Sequence, residues 1–163
     1  MRNLTVLITI TIFCLTFQSL HAQSSMAPRS SVSFGRALLD AENLIKSNPE
    51  WEMLGVKGGS MKPLLGENSL IVFRPIAAES VQAGMLVVFM DQDGDRVVHQ
   101  AVSQDETGWT TKGIKNWKND PDKVTDGNLL GAVVAVMHSK DAPRRQVFTG
   151  TGRPLEFAMG KRY

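Results

Sequence analysis

The 163-residue chain is poor in the residues that build covalent and metal frameworks. Its one cysteine, Cys14, falls in an N-terminal apolar run, so the rest of the chain has no disulfide framework and no thiolate metal site. The three histidines, His21, His99 and His138, are too few and too dispersed for a histidine-built zinc site. No metal and no cofactor is expected. Charge of neither sign dominates: the formal net charge is +2 and the basic residues are scattered, which gives no footing for nucleic acid. Solenoid repeats and low-complexity tracts are missing too. Lysine is absent between Lys62 and Lys112, so the centre of the chain offers histidine, not lysine, as a base.

What is present begins with an export signal. Arg2 precedes an apolar, β-branched-rich run over residues 4–17, followed by Gln18-Ser19. This is the pattern of a secretory signal, and it is shorter than most spanning helices. Ala22-Gln23-Ser24 suits cleavage after Ser24, so residues 1–24 read as a signal peptide; the alternative is an uncleaved signal anchor reaching about Leu20. Either way the remainder is expected to be exported, periplasmic or extracellular, and membrane-associated if the signal is kept.

The remainder has room for one domain with a real core. Residues 25–32 are Ser/Pro/Ala-rich and read as a linker. Ser33 then caps a periodic pattern of Phe34, Ala37, Leu38, Ala41, Leu44 and Ile45, which predicts a helix over 34–47 within a segment 33–50 ended by Asn48-Pro49. From Trp51 the pattern turns β-like, with strands expected near 51–57, 69–74, 84–91, 95–103, 108–112 and 129–137. Gln92-Asp93-Gly94-Asp95 marks a hairpin. An EF-hand loop wants glycine sixth and glutamate twelfth, whereas counting from Asp91 glycine is fourth and Val102 is twelfth. Residues 113–128 form a loop of a length that is uncommon without a function. The catalytic-type β domain is expected over 51–140. Residues 141–163 read as a basic tail with one short strand near 146–149, and His138 as a surface residue. The fold class is mainly β with one N-terminal helix.

One stretch organises the chemistry. In Lys57-Gly58-Gly59-Ser60-Met61-Lys62-Pro63 two glycines give the backbone freedom before a serine. A serine on such a turn can aim its Oγ and its own N–H at one point, as a nucleophile beside an oxyanion site must. Taken alone, Gly-Gly-Ser is also an ordinary loop. The base available to it is His99, which strand alternation places with Val97 and Ala101 on one face. A strand histidine satisfied by backbone is the structural alternative. Asp120, Asp122 and Asp126 in the long loop are the acids that could orient it.

The ordered series Gly59-Ser60-Met61-Lys62-Pro63, the strand 69–73, Gly84 with Val87-Val88-Phe89, Val97-Val98-His99, Thr111-Lys112-Gly113, Asn116, Asp120 and Gly131 with Val133-Val134 resembles the type I signal peptidases. The resemblance covers about residues 51–137, and the self-cleaving SOS-type repressors share that family's fold. It implies a fold of coiled antiparallel sheets and no cofactor. It also implies Ser60 as nucleophile, His99 as general base in the manner of the histidine-type members, and Asp120 as orienting acid. Gly58, Gly59 and Met61 would form the oxyanion and substrate-binding surroundings. The implied substrate is an extended peptide or protein segment cut after small residues. Two positions depart from the family: Gly58 stands where a serine often assists the oxyanion, and Ile114 stands where an acid is usual. These leave open a weakened, peptide- or partner-binding module, and a self-processing protein as a third possibility.

Overall fold

The computed structural model describes residues 28–163. The expected signal segment 1–24, Cys14 and the start of the linker lie outside the described residues. The helix α1, Phe34–Lys46, forms as its periodicity predicts. Ser33 keeps extended backbone and its Oγ accepts a hydrogen bond from the Arg36 N–H at 3.3 Å, satisfying a donor that the first turn leaves free. Phe34, Ala37 and Leu38 pack with Leu70 and Leu155. Replacing Ser33 by alanine is expected to cost about 1 kcal/mol, read as a lowered midpoint in thermal unfolding.

Seven strands follow: β1 (Glu52–Gly58), β2 (Ser69–Arg74), β3 (Leu86–Met90), β4 (Arg96–Asp105), β5 (Gly108–Lys112), β6 (Leu129–His138) and β7 (Phe157–Gly160). Their order is β3-β6-β2-β1-β7-β4-β5, and β3 also pairs with β4. The first six of these strands therefore close a barrel, and β5 extends outward from β4. Register shifts at Val72/Phe73, Val88/Phe89 and Ala101/Ser103 supply the local bends that closure requires.

Alternation sorts side chains into two cores. Leu54, Val56, Ile71, Phe73, Val88, Val98 and Ala158 are joined in one cluster by Met61 and Leu65. Val87, Phe89, Val97 and Ala101 point the other way and pack with Ala78, Val81, Trp109 and Val124. Because β3 is covered on both faces, its residues Leu86–Met90 are apolar without a break, whereas β4 is buried over Val97, Val98 and His99 and exposed from Val102 onward.

The end of the chain departs most from the sequence-based expectation. The basic tail is not an appendage: it contributes β7, which runs parallel to β1 and to β4, so the sheet is not antiparallel throughout. The strand expected near 146–149 is only an isolated bridge between Phe148 and Pro154. Four short residues, Phe157-Ala158-Met159-Gly160, carry too little alternation to read as a strand by themselves; their place is set by the two strand edges they bridge. His138 is half-buried rather than superficial. Its Nδ1 lies 3.1 Å from Ser69 Oγ, and burial lowers its pKa from the ordinary histidine value.

Candidate active site

β1 ends at Gly58, whose φ of +88° suits glycine and turns the chain into the bend that carries Ser60. β4 presents His99 to the same place, on the face opposite its Val98 neighbour. Ser60 Oγ lies 2.8 Å from His99 Nε2. His99 Nδ1 lies 2.6 Å from Asp120 Oδ2. An ionised carboxylate can only accept, so Nδ1 carries the proton and Nε2 is left to accept from the serine hydroxyl. All three residues are buried, with Ser60 and His99 at 0% exposure.

Asp120 is held by β5 rather than by the loop alone. The Asp120 N–H donates to Thr111 O at 2.8 Å, and Thr111 Oγ1 donates to Asp120 Oδ2 at 2.6 Å. Its other oxygen, Oδ1, is buried without a hydrogen-bond partner among the described residues. Thr111 is a site residue that motif spacing left without a role; its signal was the inward alternation of Trp109 and Thr111 along β5. The remaining acidic candidates face elsewhere. Asp126 Oδ1 accepts from the Ala78 N–H at 2.6 Å, and Asp122 Oδ1 accepts from Gln92 Nε2 at 2.5 Å.

The long loop is tied to the serine turn as well. The Lys115 N–H donates to Ser60 O at 2.6 Å, and a Cβ at Gly113 would lie 2.7 Å from Ser60 Cβ, so only glycine permits this approach. Ile114, where the resembled family has an acid, is 39% exposed. Of the expected oxyanion neighbours, Met61 turns its side chain into the barrel core, where it is 1% exposed. Gly58 and Gly59 do border the site, but against the chain's own end. Gly58 pairs with Gly160, and a Cβ at Gly59 would sit 3.2 Å from an Arg162 guanidinium nitrogen.

That end covers the site. A Cβ at Gly160 would lie 2.8 Å from Ser60 Oγ and 3.4 Å from the Ser60 amide nitrogen, so hydroxyl and amide converge on one point of β7. The Tyr163 ring stands edge-on to His99 with centroids 6.4 Å apart, and Phe89 flanks the imidazole at the same distance. Burial raises the Tyr163 pKa above the ordinary tyrosine value. Asn116 Nδ2 donates to Lys161 O at 2.9 Å. Two clefts of about 800 Å³ and 560 Å³ lie elsewhere, beside α1 and beside Pro143, and Ser60, His99 and Asp120 line neither.

Lys161 Nζ lies 2.5, 2.8 and 2.9 Å from carboxylate oxygens of Asp91, Asp93 and Asp95 in the β3–β4 turn. Hydrogen bonds to Asp91, Asp93 and Asp95 raise the Lys161 pKa above its ordinary 10.5. For Asp91, burial alone would raise the pKa, but the hydrogen bond from Lys161 and those from the Asp95 and Asp93 N–H groups outweigh it, and the value falls below 3.8. A depressed carboxylate contributes stability that is present above the unfolded value and lost as pH falls below it; a raised lysine contributes stability lost only above 10.5. Amide protection of residues 157–160 is therefore expected to be flat from pH 5 to 9 after correction for intrinsic exchange, and to fall below about pH 3.8, as measured by hydrogen exchange.

Compared with known proteins, the chain matches no family model, no curated protein and no solved structure.

Proposed function

We propose that the chain is an exported serine endopeptidase of the signal-peptidase type, cutting extended peptides after small residues with Ser60 as nucleophile. The observation that carries this reading is the unbroken buried line from Ser60 Oγ through the His99 ring to Asp120, at 2.8 and 2.6 Å. A non-catalytic binding module would be favoured by an Asp120 out of reach of His99, and the separation found weighs against it.

In the acylation step Ser60 Oγ bonds to the peptide carbonyl carbon while its proton passes to His99 Nε2. The C–N bond then breaks, and Nε2 returns that proton to the leaving amine. Water, deprotonated by the same nitrogen, attacks the ester; the bond between the acyl carbon and Ser60 Oγ breaks, and Nε2 returns the proton to Oγ, restoring the hydroxyl. Asp120 keeps Nδ1–H pointed at itself and stabilises the imidazolium in both halves. Thr111 fixes the carboxylate in turn. The Ser60 amide is the nearest donor for the oxyanion, and Gly58 supplies no side-chain donor beside it.

In this reading the protein acts outside the cytoplasm on a peptide or protein segment, with membrane association if the N-terminal signal is retained. Among the described residues no helix is long and apolar enough to cross a membrane. The test is covalent. A fluorophosphonate should add one adduct at Ser60 in a chain carrying Lys161→Ala, which loosens the end that covers the serine, located by peptide mass mapping, and none in the same chain with Ser60→Ala. Labelling at other residues only, or equal labelling of Ser60→Ala, would sink the proposal.

A further inference from the structure

We propose that residues 155–163 occupy the peptide cleft in cis as a removable strap, and that a substrate enters as an extended strand in their place. The substrate would carry a basic residue at the position of Lys161, beside Asp91, Asp93 and Asp95. This rests on the peptidase reading of Ser60, whose regulation and specificity it describes.

Three observations point to an occupant rather than an ordinary barrel strand. β7 is bonded on both sides by strands that carry the site, β1 leading to Ser60 and β4 holding His99. Each presents an edge that an extended peptide could join by main-chain hydrogen bonds. Gly160 blocks the serine: a Cβ on it would lie 2.8 Å from the Ser60 hydroxyl oxygen and 3.4 Å from the Ser60 amide nitrogen. The approach also depends on glycine at both ends. A Cβ at Gly58 would run into Gly160 O, so the serine that the resembled family often has here would expel the strand. Gly58 is thus explained by what lies on it.

Register sets the specificity. Ala158 is 0% exposed and joins Val56 and Val98 in the barrel core. Met159 points the other way and is half-buried. The next residue, Lys161, meets Asp91, Asp93 and Asp95. When the strap leaves, three carboxylates on one turn lose their cation, and a basic side chain on an incoming peptide restores it. The same ammonium is therefore both the latch of the strap and the template for substrate charge.

The experiment uses the full chain in the Ser60→Ala background, where chemistry is blocked, and a fluorescein-labelled synthetic peptide with the sequence of residues 155–163. Lys161→Ala removes the latch. Ala158→Asp, which places a carboxylate in the apolar core, serves as a second means of release. Hydrogen exchange at residues 157–160 reports whether the strap has left, and anisotropy reports peptide binding. The expected result is lost protection in at least one variant, with peptide binding at least tenfold tighter than in Ser60→Ala alone. A peptide with glutamate in place of the lysine should bind at least tenfold more weakly. Persistent protection in both variants would make β7 a permanent strand and overturn the strap, as would release without peptide binding. Equal binding of the two peptides would overturn the charge preference. Fluorophosphonate labelling of Lys161→Ala with Ser60 intact separates the two proposals. Peptide binding without an adduct keeps the strap and removes the hydrolase; an adduct without peptide binding does the reverse.

Discussion

In the Lys161→Ala background, Ser60→Ala is expected to lower kcat for cleavage of a small-residue peptide by about 10⁶-fold, and Asp120→Asn by about 10⁴-fold. The two numbers differ because the two residues act at different removes. Ser60 forms and breaks the bond to substrate, and nothing at 2.8 Å from His99 replaces it. The Asp120 side chain hydrogen-bonds to His99 and Thr111 and acts through the ring's proton position. An asparagine there can offer an N–H to Nδ1, which draws the ring proton to Nε2 and leaves no lone pair facing the serine. KM should move little in Asp120→Asn, since the carboxylate makes no substrate contact in the proposed mechanism. A combined Ser60→Ala/Asp120→Asn chain should be no slower than Ser60→Ala alone, because groups working as a unit are not additive. A full-rate Ser60→Ala, or a strictly multiplicative double variant, would remove the proposed mechanism.

The second large effect is on folding. Phe73→Ala is expected to cost about 3–5 kcal/mol, a large part of the 5–15 kcal/mol that holds a typical domain together. Phe73 is 1% exposed, lies where β2 bends between its β1 and β6 partners, and packs in the barrel cluster with Leu54, Ile71 and Val88. Removing the ring takes away its buried apolar area and leaves a cavity in that cluster. Urea unfolding of the variant should show a lower midpoint with the slope unchanged. A loss under 1 kcal/mol would mean that the barrel interior collapses onto the vacancy.

Much of this was legible in the chain, and the failures have a common cause. The helix could be read from Ser33 and its apolar stripe because capping and periodicity are local. The six strands before residue 140 could be read for the same reason, and so could the turn at Gly94, where φ is +80°. Ser60, His99 and Asp120 could be named because ordered motifs carried them, and the structure brings all three together. That the Met61 side chain enters the core could not be read, because adjacency to a nucleophile in sequence says nothing about which way a side chain points after a turn. Thr111 was missed because a threonine on a strand has no distinctive spacing. β7 was missed because its stability comes from non-local partners: Gly55 opposite Phe157, and Val97 opposite Met159. No window of local sequence contains either pair.

The position of β7 also bears on how the molecule is made. β1 and β4 are not neighbours in the sheet; β7, the last strand among the described residues, stands between them. During synthesis from the N-terminus, the first six strands are complete while that seam is still unfilled. Barrel closure must therefore wait for residues 157–160, and its pairings span most of the domain, the kind of topology that folds slowly. Until then two unpaired edges are exposed together, which is a hazard for wrong strand pairing with other chains. A stalled or C-terminally clipped product would thus be an open sheet that seeks a strand from elsewhere, and its expected fate is association rather than simple unfolding.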